Sequence, residues 1–290
     1  AIADYTYSQA SRAAPRWPPV ITTRLPGVIM ITRTTGAPAA VRALLACLGL
    51  LLLPSVAPAA DARERPPLYT FAASWTLPRA QWAEMAQAAT TAEKTAAQFL
   101  TDGTLTAFGS DVRMVHTREG DTHDLWWSGH TLAGVLAVLD EMHRSGLATS
   151  PALSAATAHE DVLYVSRHYN WRAGTVKGGY TRGAFYQLKE DAPDNALDVI
   201  STSFIEPLMD KLVADGTVQG YEVDTEWVHT QKPGGFWLYY ITNTAAGLDK
   251  VDAALGAALK GNPLAGPAIG SMIGYKTHRD SLFRTDATIK

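Results

Sequence analysis

Residues Thr101–Thr117 read TDGTLTAFGSDVRMVHT, and residues Ala214–Thr230 read ADGTVQGYEVDTEWVHT. The two stretches lie 113 residues apart and align without a gap. Asp102-Gly-Thr recurs at Asp215, Asp111 matches Asp224, and Val115-His-Thr recurs at Val228. Further along, Trp126–Trp127 fall opposite Tyr239–Tyr240, and Thr131-Leu-Ala-Gly opposite Thr244-Ala-Ala-Gly. A looser echo sets His159-x-Asp161 against His278-x-Asp280. Two long copies point to a duplicated domain; a solenoid needs more and shorter repeats.

Each copy has the same element order. Leu68–Leu77 is rich in β-branched and aromatic residues and flanked by prolines, so it reads as a strand. From Pro78 the apolar residues Trp82, Met85, Ala89 and Ala92–Ala96 recur at helical spacing, and Gly103 sits where a helix-terminating glycine belongs. TLTAFGSDVRMVHT and THDLWWSG alternate as two strands around the turn REGD, a hairpin. A helix from Thr131, its expected N-cap, runs to Gly146, and DVLYVSRHYNW closes the copy as a strand. The second copy repeats the order, with Pro207 expected to kink its first helix and Thr244 to cap its second.

The order βαββαβ is the split βαβ, or ferredoxin-like, unit, with an antiparallel sheet carrying helices on one face. The expected organisation is a first unit over 63–170, a link over 171–179 and a second unit over 180–290. The other face of each sheet is expected to be apolar and to pack against its twin. The chain then carries its own dimer partner, an α+β fold of two units forming an intrachain pseudo-dimer.

That duplication resembles the dimeric α+β barrel superfamily in a fused, tandem form, across nearly all of the chain after residue 62. The resemblance implies the barrel fold. It also implies a range of activities, because the superfamily includes cofactor-free monooxygenases, small lactone isomerases and haem proteins of the chlorite dismutase type. No catalytic motif of those families matches residue by residue here, so no catalytic role is carried over, and fold alone does not fix function.

The first 62 residues of the sequence bear on location. After Met30 come Arg33 and Arg42, an apolar run over Ala43–Leu53, and the small residues Ala57-Pro-Ala59. This is the layout of a secretory signal, expected over 30–62 with cleavage near Ala59–Ala62. Residues 1–29 precede that methionine and are read as an upstream extension. Cys47, the single cysteine, sits inside the apolar run with leucines on both sides, a poor site for lipidation. The expected product is periplasmic or secreted, with no thiol for disulfides, metal sites or catalysis. The segment before Ala60 holds five arginines and one aspartate, so the remainder has 20 basic and 27 acidic side chains, a net of −7. Without a basic cluster, nucleic acid and anionic membrane surfaces are poor partners.

Candidate chemistry falls into three groups. His116 and His229 end matching strands; alternation puts Phe108, Met114 and His116 on one face and Tyr221, Trp227 and His229 on its counterpart, with Asp111 and Asp224 on the opposite face. A histidine among aromatics can ligate haem iron or act as a general base, although its occurrence in both copies also suits a fold determinant. His159/Asp161 and His278/Asp280 are paired ligand types on extended chain, too few by themselves for a metal. Residues unique to one copy are stronger suspects, because the fold does not demand them. These include His123, His130, His143, the Trp126–Trp127 pair against Tyr239–Tyr240, and the cation–aromatic group Arg167, His168, Tyr169, Trp171, Arg172 and Lys177, which suits an anionic or aromatic ligand. Phosphate-loop, dinucleotide, nucleophile-elbow and zinc-protease motifs are absent. The leading expectation is an exported protein that binds a small apolar or aromatic ligand. The alternatives are a haem-dependent or cofactor-free oxidoreductase or isomerase, and a ligand-free structural module that forms a defined homo-oligomer.

Overall fold

The computed structural model describes residues 65–117 and 120–290. The expected upstream extension 1–29 and the export segment 30–62, with Cys47, lie outside the described residues.

The first unit runs β1 (Leu68–Thr76), α1 (Trp82–Thr101), β2 (Ala107–Arg113), β3 (His123–Gly129), α2 (Leu132–Arg144), a short α3 (Pro151–Ser154) and β4 (Ala158–Trp171). The second runs β5 (Gly174–Gln187), α4 (Ala196–Ile200), α5 (Glu206–Ala214), β6 (Gly220–Glu226), β7 (Gly235–Thr242), α6 (Ala245–Gly261), α7 (Ala265–Met272) and β8 (Arg279–Ile289). The capping residues act as expected. Thr131 and Thr244 accept from the backbone N–H of Gly134 and Gly247, and Gly103 and Gly146 take positive φ. Between α4 and α5 the chain makes a π-turn over Ser201–Ile205, directly before Pro207. Proline has no N–H to return to the carbonyl four residues back, so the helix widens at this point instead of closing its normal ladder.

The eight strands form one closed antiparallel barrel in the order β1-β3-β2-β8-β5-β7-β6-β4. Within it, β4-β1-β3-β2 and β8-β5-β7-β6 are the same four-strand order written twice. The two units are therefore hydrogen-bonded at both edges, not merely stacked face to face. One seam is β2 with β8, from Ala107 opposite Ile289 to Arg113 opposite Phe283. The other is β4 with β6, from Tyr164 opposite Glu226 to Trp171 opposite Gly220, and it carries a bulge between Ser166 and His168.

These seams correct the expected link over 171–179. β4 continues to Trp171 and β5 starts at Gly174, which leaves Arg172 and Ala173 as the only residues outside strands. Both strands are 14 residues long because each serves its own sheet and the seam. The glycines of this stretch, Gly174, Gly178 and Gly179, are strand glycines; Gly178, at φ 60°, sits in a bulge that shifts the β5–β8 register between Val176 and Gly179.

Each unit buries an apolar core between the outer face of its sheet and its helices. In the first, Phe71, Met85, Leu105, Trp127, Val135 and Val138 are central; in the second, Ile200, Met209, Tyr221, Val223, Phe236 and Val251. The inner face of the barrel was expected to be apolar throughout and is not. Two apolar clusters, around Tyr164, Phe185 and Trp237 and around Val176, Ile241 and Ala287, share the interior with buried carboxyls and hydroxyls. Strand alternation sends the phenylalanine and valines of β2 and β6 toward the helices, and so sends Asp111, Glu222 and Asp224 inward.

Candidate functional site

Two cavities stand out. The first is a cleft of about 390 Å³ in the first unit, between the outer face of β1, β3 and β4 and the segment from α2 to α3. Its floor is made by alternate residues of β1, Phe71, Ala73 and Trp75, and by Leu125 and Trp127 of β3. Phe71 and Trp127 stack with centroids 4.9 Å apart, and the Trp127 indole N–H donates to the carbonyl of Val135 at 2.9 Å, which fixes the ring. Met142, Leu147 and Leu153 form the wall, and His143, His159 and Asp161 supply polar groups. His159 lies flat on Trp75, 5.0 Å away and 5° from parallel, and its Nε2 is 2.9 Å from Asp161 Oδ1. Volume, aromatic lining and a few convergent polar groups are the usual features of a small-molecule site.

The second unit has a counterpart in register but not in chemistry. Phe71 pairs with Trp127 across β1 and β3; at the corresponding place Arg182 pairs with Tyr240 across β5 and β7. Arg182 is ion-paired to Asp252 at 2.8 Å and to Asp280 at 3.3 Å. These carboxylates hold the guanidinium charged and raise its pKa against the effect of burial. His278 repeats the stack of His159, on Tyr186 at 4.5 Å, and its Nε2 lies 3.4 Å from Asp280. Duplication has thus kept the His-x-Asp frame and changed the floor from aromatic to an ion-paired arginine.

The second cavity is inside the barrel, about 100 Å³ in volume. Asp111 (β2), Asp124 (β3), and Glu222 and Asp224 (β6) line it. Asp111 accepts from the Thr285 hydroxyl and, at 3.1 Å, from the Trp126 indole; Asp224 accepts from Ser166. Glu222 accepts from Thr70 at 3.2 Å and from Ser166 at 3.4 Å. Burial pushes the Asp111 carboxyl up to about 7, although the Thr285 and Trp126 donors oppose the rise. Burial likewise brings Asp224 to about 6. Glu222 and Asp124 are raised well above the usual range, by burial first and then by neighbouring carboxyls.

The candidates named from sequence divide between these places and the surface. Trp127, His143, His159 and Asp161 meet at the cleft; Trp126, Trp171, Tyr239 and Tyr240 line the interior cavity. His116 and His229 meet neither. β2 and β6 end at Arg113 and Glu226, so both histidines lie in exposed turns beyond the strands, with Trp227 also exposed. An axial haem ligand faces a pocket that holds the ring, and among the described residues neither histidine lines either cavity. His123 is buried against Trp82, and burial brings its imidazole down to about 4.

The cation–aromatic group is likewise not one site. Arg167 and Arg172 point outward on or beside β4, and Arg172 donates to Gln219 at 3.3 Å. His168 is fixed between Glu206 and Asp198 at 2.8 and 3.0 Å, and Lys177 pairs with Asp286 at 3.3 Å. His130 lies apart from both cavities but lines, with Tyr169, Trp171 and Arg65, a third one of about 210 Å³; His278 lines none of them, and no three His, Cys, Asp or Glu side chains converge on one metal position among the described residues. Phe71 and Trp75 of the cleft, and Asp124 and Glu222 of the interior, were not singled out from sequence. The signal available for Phe71 was its replacement by Arg182 in the second copy.

No protein-family model matches the chain, and no curated protein matches it. Solved structures do. A monooxygenase candidate from Lactobacillus acidophilus NCFM superposes with a TM-score of 0.56 at 12% identity, over 78% of this chain and 97% of that one. A chlorite dismutase from Candidatus Nitrospira defluvii gives 0.45 at 10% identity, over 76% and 90%. At such identities the likeness is one of fold. The chain has the dimeric α+β barrel fold, with both halves of the barrel in one polypeptide.

Proposed function

We propose that the protein is exported and binds a small, mostly apolar aromatic compound in the cleft of the first unit. The observation that carries this reading is the contrast between the copies: Phe71 stacked on Trp127 in one, Arg182 tied to Asp252 and Asp280 in the other. The same strand register carries either floor, so the barrel topology does not by itself require an aromatic pair at this place, and in the first unit that pair lies under an open cleft. Export rests on the signal layout of residues 30–62. Thermal unfolding against indole and naphthol compounds tests the binding. A saturable rise in Tm is expected, lost in Ala156→Phe, which fills the cleft from its wall. If no compound of this class stabilises the protein, or if Ala156→Phe binds as well as the unmodified chain, the reading fails. Sequencing the N-terminus of the native protein should begin near Ala60.

A second reading is cofactor-free oxidation of such a compound. It is favoured by His159, whose imidazole is both stacked on Trp75 and held by Asp161 beside the cleft, the arrangement of a base oriented by a carboxylate. The monooxygenase description of the Lactobacillus structure is consistent with it. Oxygen uptake with hydroquinones above the autoxidation rate, abolished by His159→Ala, would support it. Uptake unchanged in that variant would remove it.

A further inference from the structure

The barrel interior is a separate place from the aromatic cleft, on the opposite face of the same strands. Four carboxyls enter it, and no Lys, Arg or His side chain lines it. None of the four is ion-paired among the described residues. A small barrel is ordinarily filled by apolar side chains, and a buried carboxyl without a partner is costly. Three of the four have donors: Thr285 and Trp126 for Asp111, Ser166 for Asp224, Thr70 and Ser166 for Glu222.

Asp124 differs. Its Oδ1 is shut from solvent and has no hydrogen-bond partner, and the side chain borders the cavity. The Trp171 indole N–H, on the same lining, is also buried and unpartnered. Beside these stand aromatic rings. Trp126 and Trp171 are 5.7 Å apart, and Tyr164 and Tyr239 are 6.2 Å apart. Carboxyls lacking a counter-charge, set among ring faces, are the chemistry that recognises an organic cation: the acid supplies the ion pair and the rings supply cation–π contact. A metal ion is a poorer fit, because no three ligating side chains converge. An anion would meet no cationic side chain there.

We infer that the barrel interior binds a small organic cation of the alkylammonium class, with Asp124 as its anchor. The cavity of about 100 Å³ admits a compact ligand of a few heavy atoms, not a nucleotide or a haem. The cation supplies the partner that Asp124 Oδ1 lacks, and its alkyl part lies against Trp126 and Tyr239.

Calorimetry and thermal unfolding of the purified protein with propylammonium and tetramethylammonium, against the neutral isostere 1-propanol, test this at mildly alkaline pH. Saturable binding of at least one cation is expected, with a rise in Tm and no such effect of 1-propanol. Asp124→Asn should weaken the cation at least about tenfold, or about 1.4 kcal/mol. Ala156→Phe, in the separate cleft, should leave it unchanged, which distinguishes this site from the aromatic one. Glu222→Gln is the second variant, should Asp124→Asn fail to fold, and is expected to weaken binding in the same direction. Absence of saturable binding by either cation, equal binding of 1-propanol, or full affinity in the carboxyl variants would overturn the inference and leave the four groups as protonated members of a hydroxyl network.

Discussion

Asp111 and Asp224 are matching positions of the two copies, and each is held by a hydroxyl from the far side of a seam. Thr285 on β8 donates to Asp111 of β2, and Ser166 on β4 donates to Asp224 of β6. Both carboxyls are raised above their value in an unfolded chain, about 3.9, to about 7 for Asp111 and about 6 for Asp224. The folded state therefore holds protons that the unfolded state has released. Their stabilisation is complete below about pH 4 and is lost as pH rises through the folded values. His123 acts in the opposite sense. Its imidazole is lowered to about 4, so it favours the folded state increasingly up to the unfolded histidine value of about 6.5 and is neutral thereafter. Above that value only the carboxyl effect remains. Urea unfolding should show stability falling from about pH 6.5 to about pH 8, with a shallower fall in Asp111→Asn. An unchanged slope in the variant would mean that Asp111 is ionised throughout. A steric prediction belongs at the same scale. A Cβ on Gly109 would lie 2.5 Å from the Trp126 ring and 2.8 Å from the Asp286 carbonyl. The backbone oxygen cannot swing away, so Gly109→Ala should cost about 1–3 kcal/mol in chemical unfolding.

At the level of elements, the duplicated caps give the most direct test. Thr131→Ala and Thr244→Ala each remove the acceptor of a first-turn N–H and should each cost about 1 kcal/mol, nearly additively because the caps belong to different helices. These caps, the hairpins and the βαββαβ order were legible because each copy corroborates the other, and local pattern alone dictates them. Edge pairing was not legible. Nothing in the composition of Trp171–Gly179 marks it as seam strand: its glycines and charges resemble a loop, yet distant β8 and β6 complete its hydrogen bonds. His116 and His229 were read as strand ends and lie beyond them for a related reason. The alternation of apolar residues continues past Arg113 and Glu226, but the strands stop there and leave Met114 and Trp227 exposed. Of the cleft, Trp127, His143 and the His159–Asp161 pair were readable from sequence. Phe71 and Trp75 were not, because alternation tells which residues share a face but not where a helix stands off from it. Of the interior carboxyls, Asp111 and Asp224 were placed on the face opposite Phe108 and Tyr221 and given no role, and Asp124 and Glu222 were not placed, since burial inside a closed barrel depends on closure.

For the molecule as a whole, closure is the consequence with the widest reach. Every strand has two hydrogen-bonded neighbours, so no sheet edge is open among the described residues, and further association through strand pairing has no template. The same closure couples the units. Opening either one exposes the β2–β8 and β4–β6 seams together and brings Asp111 and Asp224 into water. The barrel should therefore unfold as one cooperative body, although a chain of this length with two cores has the means to do otherwise. The tryptophans make this measurable. Trp75, Trp82, Trp126, Trp127 and Trp171 lie in the first unit and only Trp227 and Trp237 in the second, so indole fluorescence follows mainly the first unit while far-ultraviolet dichroism follows both. The two signals should give coincident urea curves. Thr225→Pro, which puts a residue lacking an N–H into the β4–β6 seam opposite Val165, should lower the midpoint of both curves together. Fluorescence and dichroism separating in the unmodified protein would mean that each unit stands alone and that the seams add little. Their separation only in Thr225→Pro would mean that the seam is what makes two ferredoxin-like units one cooperative barrel.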